Sequence, residues 1–395
     1  MERSRSYLAA ADILRVTSIC LVGWYHIWQQ SWLDPGFFLF NHYVNLQQLV
    51  RNGYMMVDIL LVLSGFLLAL PYARAALGKG RRPSAKEFYV KRFWRIVPSY
   101  ALAILLTLFL WALPQGLYES PGAAVKDLLT HFTFTHNLFL DTYFLTPLPG
   151  VLWTMGVEVQ FYLLFPLIAL FYEERPGLTC LFLTVTALFF RMWVIRLPGT
   201  LMWVNQLPCM LDLFACGMGA AWLYVRLSER TLSDGARWLF AAAALLALFV
   251  ILQILYRQNT GDGEEVRRGQ LALRLPLGLA CGTFLLCGCL GPASLSSVLG
   301  NPVTRFFSAI SYNFYIWHQF IAVRLKALHI PPYTSETPNM AAEQPWMTRY
   351  TWLCFAAAVA VGAAVTYLYE RPIYRRALRR KAVPAQEPEQ MQTSG

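Results

Sequence analysis

Two ionisable side chains, Arg15 and His26, lie in an apolar stretch near the start of the 395-residue chain. At about 100° per residue, their spacing puts both within roughly 20° of one helix face and about 16 Å apart along its axis. Asp12, one turn before Arg15, can pair with it. A charge at such depth costs several kcal/mol and marks a candidate functional site. The structural alternative is an interfacial histidine with an arginine that snorkels to the membrane surface.

Further ionisable side chains are predicted at a depth similar to that of His26. Asp58 begins the second apolar stretch, Glu158 lies about two turns into the fourth, Asp212 begins the sixth, and His318 lies within the ninth. A histidine that faces carboxylates in a low dielectric is suited to general-base chemistry, because burial and a charged partner tune its pKa. Each of these groups can instead be a polar contact between helices. The positions of Asp58 and Asp212 near the interface favour a structural role.

A basic stretch, Lys91-Arg92-Phe-Trp-Arg95, precedes Pro98 and the third apolar segment. Arginine forks match the geometry of phosphate oxygens, so Arg92 and Arg95 form a candidate phosphate clamp. A basic loop also anchors a membrane protein on the cytoplasmic side. The spacing alone favours anchoring.

Several common catalytic motifs are absent from the sequence. It contains no P-loop, no Rossmann glycine pattern, no His-Glu-x-x-His zinc motif and no Gly-x-Ser-x-Gly elbow, and we predict no metal site. Ser64 lies in an apolar helix and is predicted to pack or to donate a hydrogen bond rather than to act as a nucleophile. The eight cysteines fall in or at the edge of apolar stretches and are interpreted as small packing residues.

Membrane-spanning helices must position these residues. The chain is 57% hydrophobic and only 14% charged, whereas soluble domains are roughly half apolar and a quarter charged. A spanning helix needs about 20 mostly apolar residues. We predict an all-α integral-membrane bundle of about ten transmembrane helices, at residues 8–29, 55–73, 96–114, 151–172, 178–196, 208–226, 237–256, 271–290, 306–327 and 350–370.

The distribution of basic residues predicts the orientation of the bundle. Of the 33 Lys and Arg residues, 21 fall in connections on the side of the N-terminus and seven on the opposite side. This bias predicts that both termini are cytoplasmic, and it explains the net charge of +11 without nucleic-acid binding. Residues 131–139 are apolar but short, and are predicted to be re-entrant or interfacial. One membrane domain, 1–376, is predicted to be followed by a basic, then polar, disordered cytoplasmic tail at 377–395.

Six motifs occur in order along residues 8–376. They are Arg15 and His26 separated by ten residues; the stretch Gly53–Leu67 around Asp58 and Ser64; Arg92-Phe-Trp-Arg95; Trp153-Thr-Met-Gly-Val-Glu158-Val-Gln-Phe-Tyr; Tyr315-Ile-Trp-His318; and Tyr369-Glu370-Arg-Pro372. Together they resemble the membrane-bound acyltransferase-3 family, bacterial O-acyltransferases of polysaccharides, lipid-linked sugars and some antibiotics. The chain departs from the family pattern at Leu60 and Leu61, where Phe-Phe is usual, and at Thr154 and Met155, where Ser-Leu is usual.

The resemblance implies a donor, an acceptor and roles for individual residues. The donor is acyl-CoA, often acetyl-CoA, used as a co-substrate rather than as a bound cofactor. The acceptor is a hydroxyl of a glycan, a lipid-linked sugar or a secreted small molecule, and the location is the bacterial inner membrane. Arg92 and Arg95 would bind coenzyme A phosphates, and Arg15 would lie along the donor's path. His26 would be the general base or a transient acyl carrier, and Glu158 would fix the imidazolium or the acceptor. The supporting residues would be Asp58, Ser64, Trp153 and His318.

A multi-pass transporter or exporter is the alternative class. Ten helices with buried charges fit such a protein equally well by composition. Transporters tend to contain paired half-repeats with broken helices, and no motif in this sequence occurs twice. A transporter also has no need for Arg92 and Arg95 to face a cytoplasmic phosphate donor.

Overall fold

The computed structural model describes residues 8–197, 201–258, 261 and 263–379. Ten long helices make up most of this part of the chain: α1 (Ala9–Ser31), α2 (Met56–Ala76), α3 (Ala85–Thr107), α4 (Trp153–Glu174), α5 (Pro176–Val194), α6 (Leu211–Leu227), α7 (Asp234–Arg257), α8 (Gly263–Leu290), α9 (Pro302–Ala327) and α10 (Trp346–Ala364). Short π-helices, Leu108–Ala112 and Val365–Glu370, continue α3 and α10. A final helix, Arg371–Arg379, contains the first residues of the predicted tail, and residues 380–395 lie outside the described residues.

Shorter elements connect the long helices. The short α-helices are Gln47–Arg51, Pro121–Phe132, Leu140–Phe144, Leu201–Val204 and Ala293–Leu299, and the 3₁₀ helices are Gly53–Met55, His136–Leu138, Gly150–Leu152 and Leu207–Met210. Strands β1 (Gly36–Leu39) and β2 (His42–Asn45) form an antiparallel hairpin, with Gly36 opposite Asn45. The sequence analysis did not predict this hairpin.

The predicted all-α membrane class is confirmed. Each of the ten predicted segments overlaps one long helix. Eight of these helices, some with their short extensions, are long and apolar enough to cross a membrane. The other two are α1, which carries Arg15 and His26, and α9, which carries His318. The number of ten crossings and the cytoplasmic position of both termini stay predictions.

The predicted start of the third helix is wrong by about three turns, because α3 begins at Ala85. Ser84 caps it: its hydroxyl oxygen accepts from the Glu87 backbone N–H at 3.2 Å, and the Glu87 carboxylate accepts from the Ser84 N–H at 3.4 Å. Such a capping box satisfies two backbone donors at the helix end. Arg92 and Arg95 therefore lie within a helix and not in a connecting loop, at spacing that puts both on one face.

The apolar segment 131–139 folds against the long helices. The short helix before it ends at Phe132, and Phe134 adopts a left-handed backbone conformation with φ of 57°. Gln160 of α4 donates from Nε2 to the Phe134 carbonyl and to Asn137 Oδ1, each at 3.0 Å. The segment is thus bound to α4 by side-chain hydrogen bonds, while its predicted depth in the membrane stays a prediction.

Helices α2 and α6 make a close contact at two glycines. A Cβ atom on Gly217 would lie 2.0 Å from the Val62 carbonyl oxygen, and one on Gly65 would lie 2.3 Å from the Phe214 carbonyl oxygen. Small residues permit such close backbone approach between membrane helices, where packing rather than water exclusion drives association. The contact fixes α2, the helix that carries Asp58 and Ser64, against its neighbour.

Replacing Gly217 by alanine is expected to destabilise the protein by about 1–3 kcal/mol or more, because backbone atoms cannot yield to the added methyl group. Thermal unfolding of the purified protein in detergent measures the effect. Gly219→Ala is the matched control on the same helix, since the nearest atom to its Cβ would be Cys180 Sγ at 4.0 Å. Equal melting temperatures for the two variants would contradict the proposed importance of the α2–α6 contact.

Candidate active site

Helices α1 and α9 run parallel and meet at two polar levels. At the first level, Arg15 Nη1 donates to Ser308 Oγ at 3.2 Å, and Ser308 Oγ donates to Asp12 Oδ1 at 2.6 Å. At the second level, His26 Nδ1 lies 2.9 Å from His318 Nε2. Arg15 and His26 therefore face the same neighbouring helix, as their spacing predicts. Ser308 was not singled out from the sequence.

The hydrogen bonds of the two imidazoles determine which nitrogens carry protons when both rings are neutral. His318 Nδ1 lies 2.7 Å from the carbonyl oxygen of Tyr315. A carbonyl oxygen only accepts, so this Nδ1 carries a hydrogen and Nε2 of the same ring is an acceptor. His26 Nδ1 must then donate to His318, and it also lies 3.1 Å from the Val22 carbonyl oxygen. The assignment leaves the lone pair of His26 Nε2 free to accept a proton.

His318 is fully buried, whereas His26 is partly exposed. The ring of His318 stacks on Phe314, with ring centroids 5.8 Å apart and planes 8° from parallel. Packing and backbone hydrogen bonds thus hold His318 in one orientation, and His318 in turn orients His26. This arrangement has the same logic as a catalytic triad, in which a third group fixes the tautomer of the base.

A cavity of about 270 Å³ lies beside the Arg15 level of the α1–α9 pair. Leucines of α2 form much of one wall. The polar side chains of the lining are Arg15, Ser64, Arg92, Arg95, Thr154, Glu158, Tyr162, Ser311, Tyr312 and Tyr315. At its far end the cavity is lined by Tyr315, whose carbonyl oxygen accepts the hydrogen bond from His318. His26 itself does not line the cavity. It lies about 10 Å further along α1 than the lining residue Ile19.

Glu158 is held in the cavity by two hydroxyl groups. Ser64 Oγ donates to Glu158 Oε1 at 2.8 Å, and the Tyr162 hydroxyl donates to the same oxygen. Ser64 thus donates a hydrogen bond from α2 to α4. The structure brings Glu158 together with Ser64 and Tyr162 and does not place it on His26, whose Nδ1 partner is His318. Tyr162 has a contact role that the sequence analysis did not assign.

Arg92 and Arg95 both reach the cavity from α3. The guanidinium of Arg92 lies over the Tyr162 ring, 5.4 Å from its centroid, a cation–π distance. Arg95 forms an ion pair with the buried carboxylate of Glu370, which also accepts from Asn313 Nδ2 at 2.6 Å. The sequence analysis quoted Glu370 within a motif and gave it no role. Its position in a closing apolar segment was the available signal, because a buried carboxylate needs a partner.

Two buried ion pairs lie away from this cavity. Arg274 Nε donates to Asp58 Oδ2 at 3.2 Å, and Arg274 Nη2 donates to Asn205 Oδ1 at 2.9 Å. Arg191 and Asp212 form the second pair. Asp58 and Asp212 thus each have a buried arginine partner, and the structural role that their positions favour stays a prediction. Both arginines lie within predicted apolar segments.

Trp153 directly precedes Thr154, which lines the cavity. It begins α4, is half-buried and does not line the cavity. Its ring packs against Tyr143, with centroids 6.4 Å apart. It therefore fixes the start of α4, the helix that carries Glu158, against the connecting segment.

A second polar cluster, Asp127, His131 and His136, is buried in the connection between α3 and α4. The rings of His131 and His136 stack with centroids 4.0 Å apart, and His131 Nδ1 lies 3.0 Å from Asp127 Oδ1. Burial and the neighbouring His131 lower the pKa of His136 to about 2, so this ring is neutral. Asp127 also accepts from the hydroxyls of Tyr118 at 2.8 Å and Thr146 at 2.6 Å. These bonds cross-link the connection.

Comparison with known proteins places the chain among acyltransferases. The acyltransferase-3 family, described as an acyltransferase domain, matches residues 8–368. The chain is 25% identical over 360 residues to the peptidoglycan O-acetyltransferase OatA of Listeria monocytogenes, covering 87% of this chain and 52% of that protein. It is 24% identical over 336 residues to the putative peptidoglycan O-acetyltransferase YrhL of Bacillus subtilis, covering 80% and 49%. No solved structure matches.

The lengths covered by these matches determine how far the family assignment extends along the chain. The chain spans about half the length of the two relatives, whereas the family match covers nearly all of the membrane helices. The family therefore describes the bundle that carries Arg15, His26 and Glu158. This chain belongs to the acyltransferase-3 family, as an integral-membrane acyltransferase domain.

Proposed function

We propose that the protein is a membrane O-acetyltransferase that moves an acetyl group from acetyl-CoA to a hydroxyl of a carbohydrate. The observation that carries this proposal is the placement of His26. Its Nε2 is free to accept a proton, His318 holds its ring, and an arginine-lined cavity extends to Tyr315, one helical turn before His318 on α9. A base next to a cavity suited to an anionic, partly apolar donor is what hydroxyl acylation requires.

The cavity walls support an acyl-CoA donor. Arg92 and Arg95 supply cationic groups where the phosphates of coenzyme A would approach, and the leucine wall suits the apolar acyl end. Arg15 lies further along the cavity, where it would orient the thioester. This assignment rests on the chemistry of the lining residues and on the family resemblance.

The transfer step conserves atoms and charge. The acceptor hydroxyl oxygen attacks the thioester carbonyl carbon while His26 Nε2 takes the hydroxyl proton. The carbon–sulfur bond then breaks, the ester bond remains on the acceptor, and the proton passes to the departing thiolate. Burial of His318 and its bond to the Tyr315 carbonyl keep the imidazole pair aligned throughout. A transient acyl group on His26 Nε2 would use the same free nitrogen.

The proposed acceptor is a cell-surface glycan, reached from the His26 end of α1. The two relatives named for peptidoglycan support a carbohydrate acceptor. The predicted orientation places the basic end of the bundle in the cytoplasm, with the donor, in a bacterial inner membrane. The acetyl group would then cross the bilayer while coenzyme A stays inside.

Purified protein in lipid nanodiscs, incubated with radiolabelled acetyl-CoA and soluble peptidoglycan fragments, tests the proposal. The expected result is release of free coenzyme A coupled to alkali-labile label on the glycan. Propionyl- and palmitoyl-CoA, supplied in parallel, define the acyl length that the cavity accepts. Folded protein that neither releases coenzyme A nor acquires label with any donor would contradict the proposed activity and would favour a transporter.

Replacing His318 by leucine is expected to lower kcat on the order of 10²-fold, because His26 loses the acceptor that aligns its ring. KM for acetyl-CoA should stay unchanged, since His318 does not line the donor cavity. His318→Gln, which keeps an acceptor near the position of Nε2, should recover part of the rate. A rise in KM with an unchanged kcat, or no recovery in the glutamine variant, would contradict the positioning role.

A further inference from the structure

A second pocket, smaller in its lining and also rich in arginine, shares Arg95 with the donor cavity. Its volume is about 390 Å³, and its lining residues are Arg95, Glu370, Arg371, Tyr374 and Arg375. Arg95 lines both spaces, so the pocket lies at the arginine end of the cavity. The resemblance assigns no ligand to the helix Arg371–Arg379, which contributes most of this lining.

The charges of the pocket are not balanced within the described part of the chain. Glu370 is only 2% exposed, and its carboxylate is already bonded to Arg95 and Asn313. Arg371 lies over the Tyr367 ring, 4.4 Å from its centroid, which leaves its guanidinium edge available for hydrogen bonds. Neither Arg371 nor Arg375 forms an ion pair with a described residue.

The spacing of the two arginines gives the pocket a defined geometry. Arg371 and Arg375 are four residues apart, so they lie one turn above each other on the same helix face. Arg376, the next residue, points in a different direction and does not line the pocket. Planar guanidinium groups that converge on one space match phosphate oxygens, which accept two hydrogen bonds from each fork.

We propose that this pocket binds phosphate groups, and that they are those at the nucleotide end of the acyl donor. The inference rests on the proposed function and extends it to Arg371 and Arg375. Arg95 lines both spaces, and in this proposal a donor with its phosphates in the pocket extends its acyl arm past Arg95 and along the cavity towards Arg15. Anionic lipid headgroups carry the same phosphate chemistry and are the alternative source.

Donor kinetics of the full chain in phosphatidylcholine nanodiscs test this inference. For Arg371→Gln and Arg375→Gln, KM for acetyl-CoA is expected to rise roughly tenfold to a hundredfold, the loss of a hydrogen bond to a charged group. KM for S-acetylpantetheine, which has no phosphate, should stay unchanged. Arg376→Gln is the matched control: it removes the same charge from the same helix outside the pocket, and its KM should stay within twofold of that of the wild type.

Binding measurements separate failure of this inference from failure of the proposed function. Radiolabelled coenzyme A should bind the wild type even if no acceptor is turned over. Arg371→Gln and Arg375→Gln should each raise its Kd by the same factor as the KM for acetyl-CoA. If coenzyme A binds all variants equally, the pocket assignment is wrong while acetyl transfer can stand. If Arg376→Gln weakens binding as much, or if losses occur only in phosphatidylglycerol nanodiscs, general charge or lipid contact explains the arginines and overturns the proposal.

Discussion

Replacing His26 by alanine is expected to reduce acetyl transfer about 10²–10⁴-fold, the usual contribution of a general base. The variant retains the cavity, because His26 does not line it, so acetyl-CoA should bind with nearly unchanged affinity. The loss should therefore be in kcat. Replacing Arg95, which lines the cavity, should instead mainly raise KM for acetyl-CoA. Initial rates of coenzyme A release with glycan acceptor, at varied acetyl-CoA, measure both parameters.

His42→Ala is the matched control for this experiment, since His42 is exposed on strand β2, away from the cavity. It should transfer acetyl groups at the rate of the wild type. Near-normal kcat in the His26 variant would remove the central claim about the site. Incubation of the wild type without acceptor adds a distinction: label that stays on the protein and is lost in the His26 variant would identify an acyl carrier, and its absence would favour a base.

The sequence was sufficient to predict which residues share a helix and a face. Ten apolar stretches predicted the ten long helices, because a segment in lipid must satisfy its backbone N–H and C=O groups by hydrogen bonds within the helix. The spacing of Arg15 and His26 predicted that both would face one neighbour, and they do face α9. The helix face on which a residue lies can be predicted from sequence spacing, because it depends only on the 3.6-residue repeat of the helix.

The sequence was not sufficient to predict which helices meet. His318 is 292 residues from His26, and no local pattern indicates that α9 packs beside α1. For the same reason the sequence did not indicate the partners of Glu158: it was expected to fix the imidazolium of His26 or the acceptor, and its hydrogen bonds join it to Ser64 and Tyr162. Helix packing depends on small residues and shape along whole helices, and single-sequence composition does not specify it.

The sequence predicted that the buried charges must pair, but not which arginine pairs with which aspartate. A charge in an apolar segment requires a partner, and this rule applied to Arg191 and Arg274 as much as to Asp58 and Asp212. Two arginines and two aspartates at unknown depth allow two pairings. The structure selects one of them: Arg274 lies on Asp58 and Arg191 on Asp212. The selected pairs tie α2 to α8 and α5 to α6.

Replacing Asp58 by alanine is expected to destabilise the protein by about 3–5 kcal/mol, because it leaves a fully buried guanidinium without its counter-charge. Arg274 would keep only its bonds to Asn205 and the Val204 carbonyl, which carry no full negative charge. The double variant Asp58→Ala/Arg274→Met removes both charges and should recover most of the loss. Thermal unfolding in detergent, with acetyl transfer measured on the surviving folded fraction, gives both readouts.

Asp141→Ala provides the contrast for this prediction. Lys126 Nζ lies 2.5 Å from Asp141, but both side chains are about half exposed, at 48% and 51%. Lys126 lowers the pKa of Asp141, and an exposed pair of this kind contributes at most about 1 kcal/mol. Both aspartates thus form ion pairs within 3.2 Å, and we expect the buried pair to contribute several-fold more than the exposed one. If Asp58→Ala unfolds no more readily than Asp141→Ala, the Asp58–Arg274 pair is not what holds α2 and α8 together.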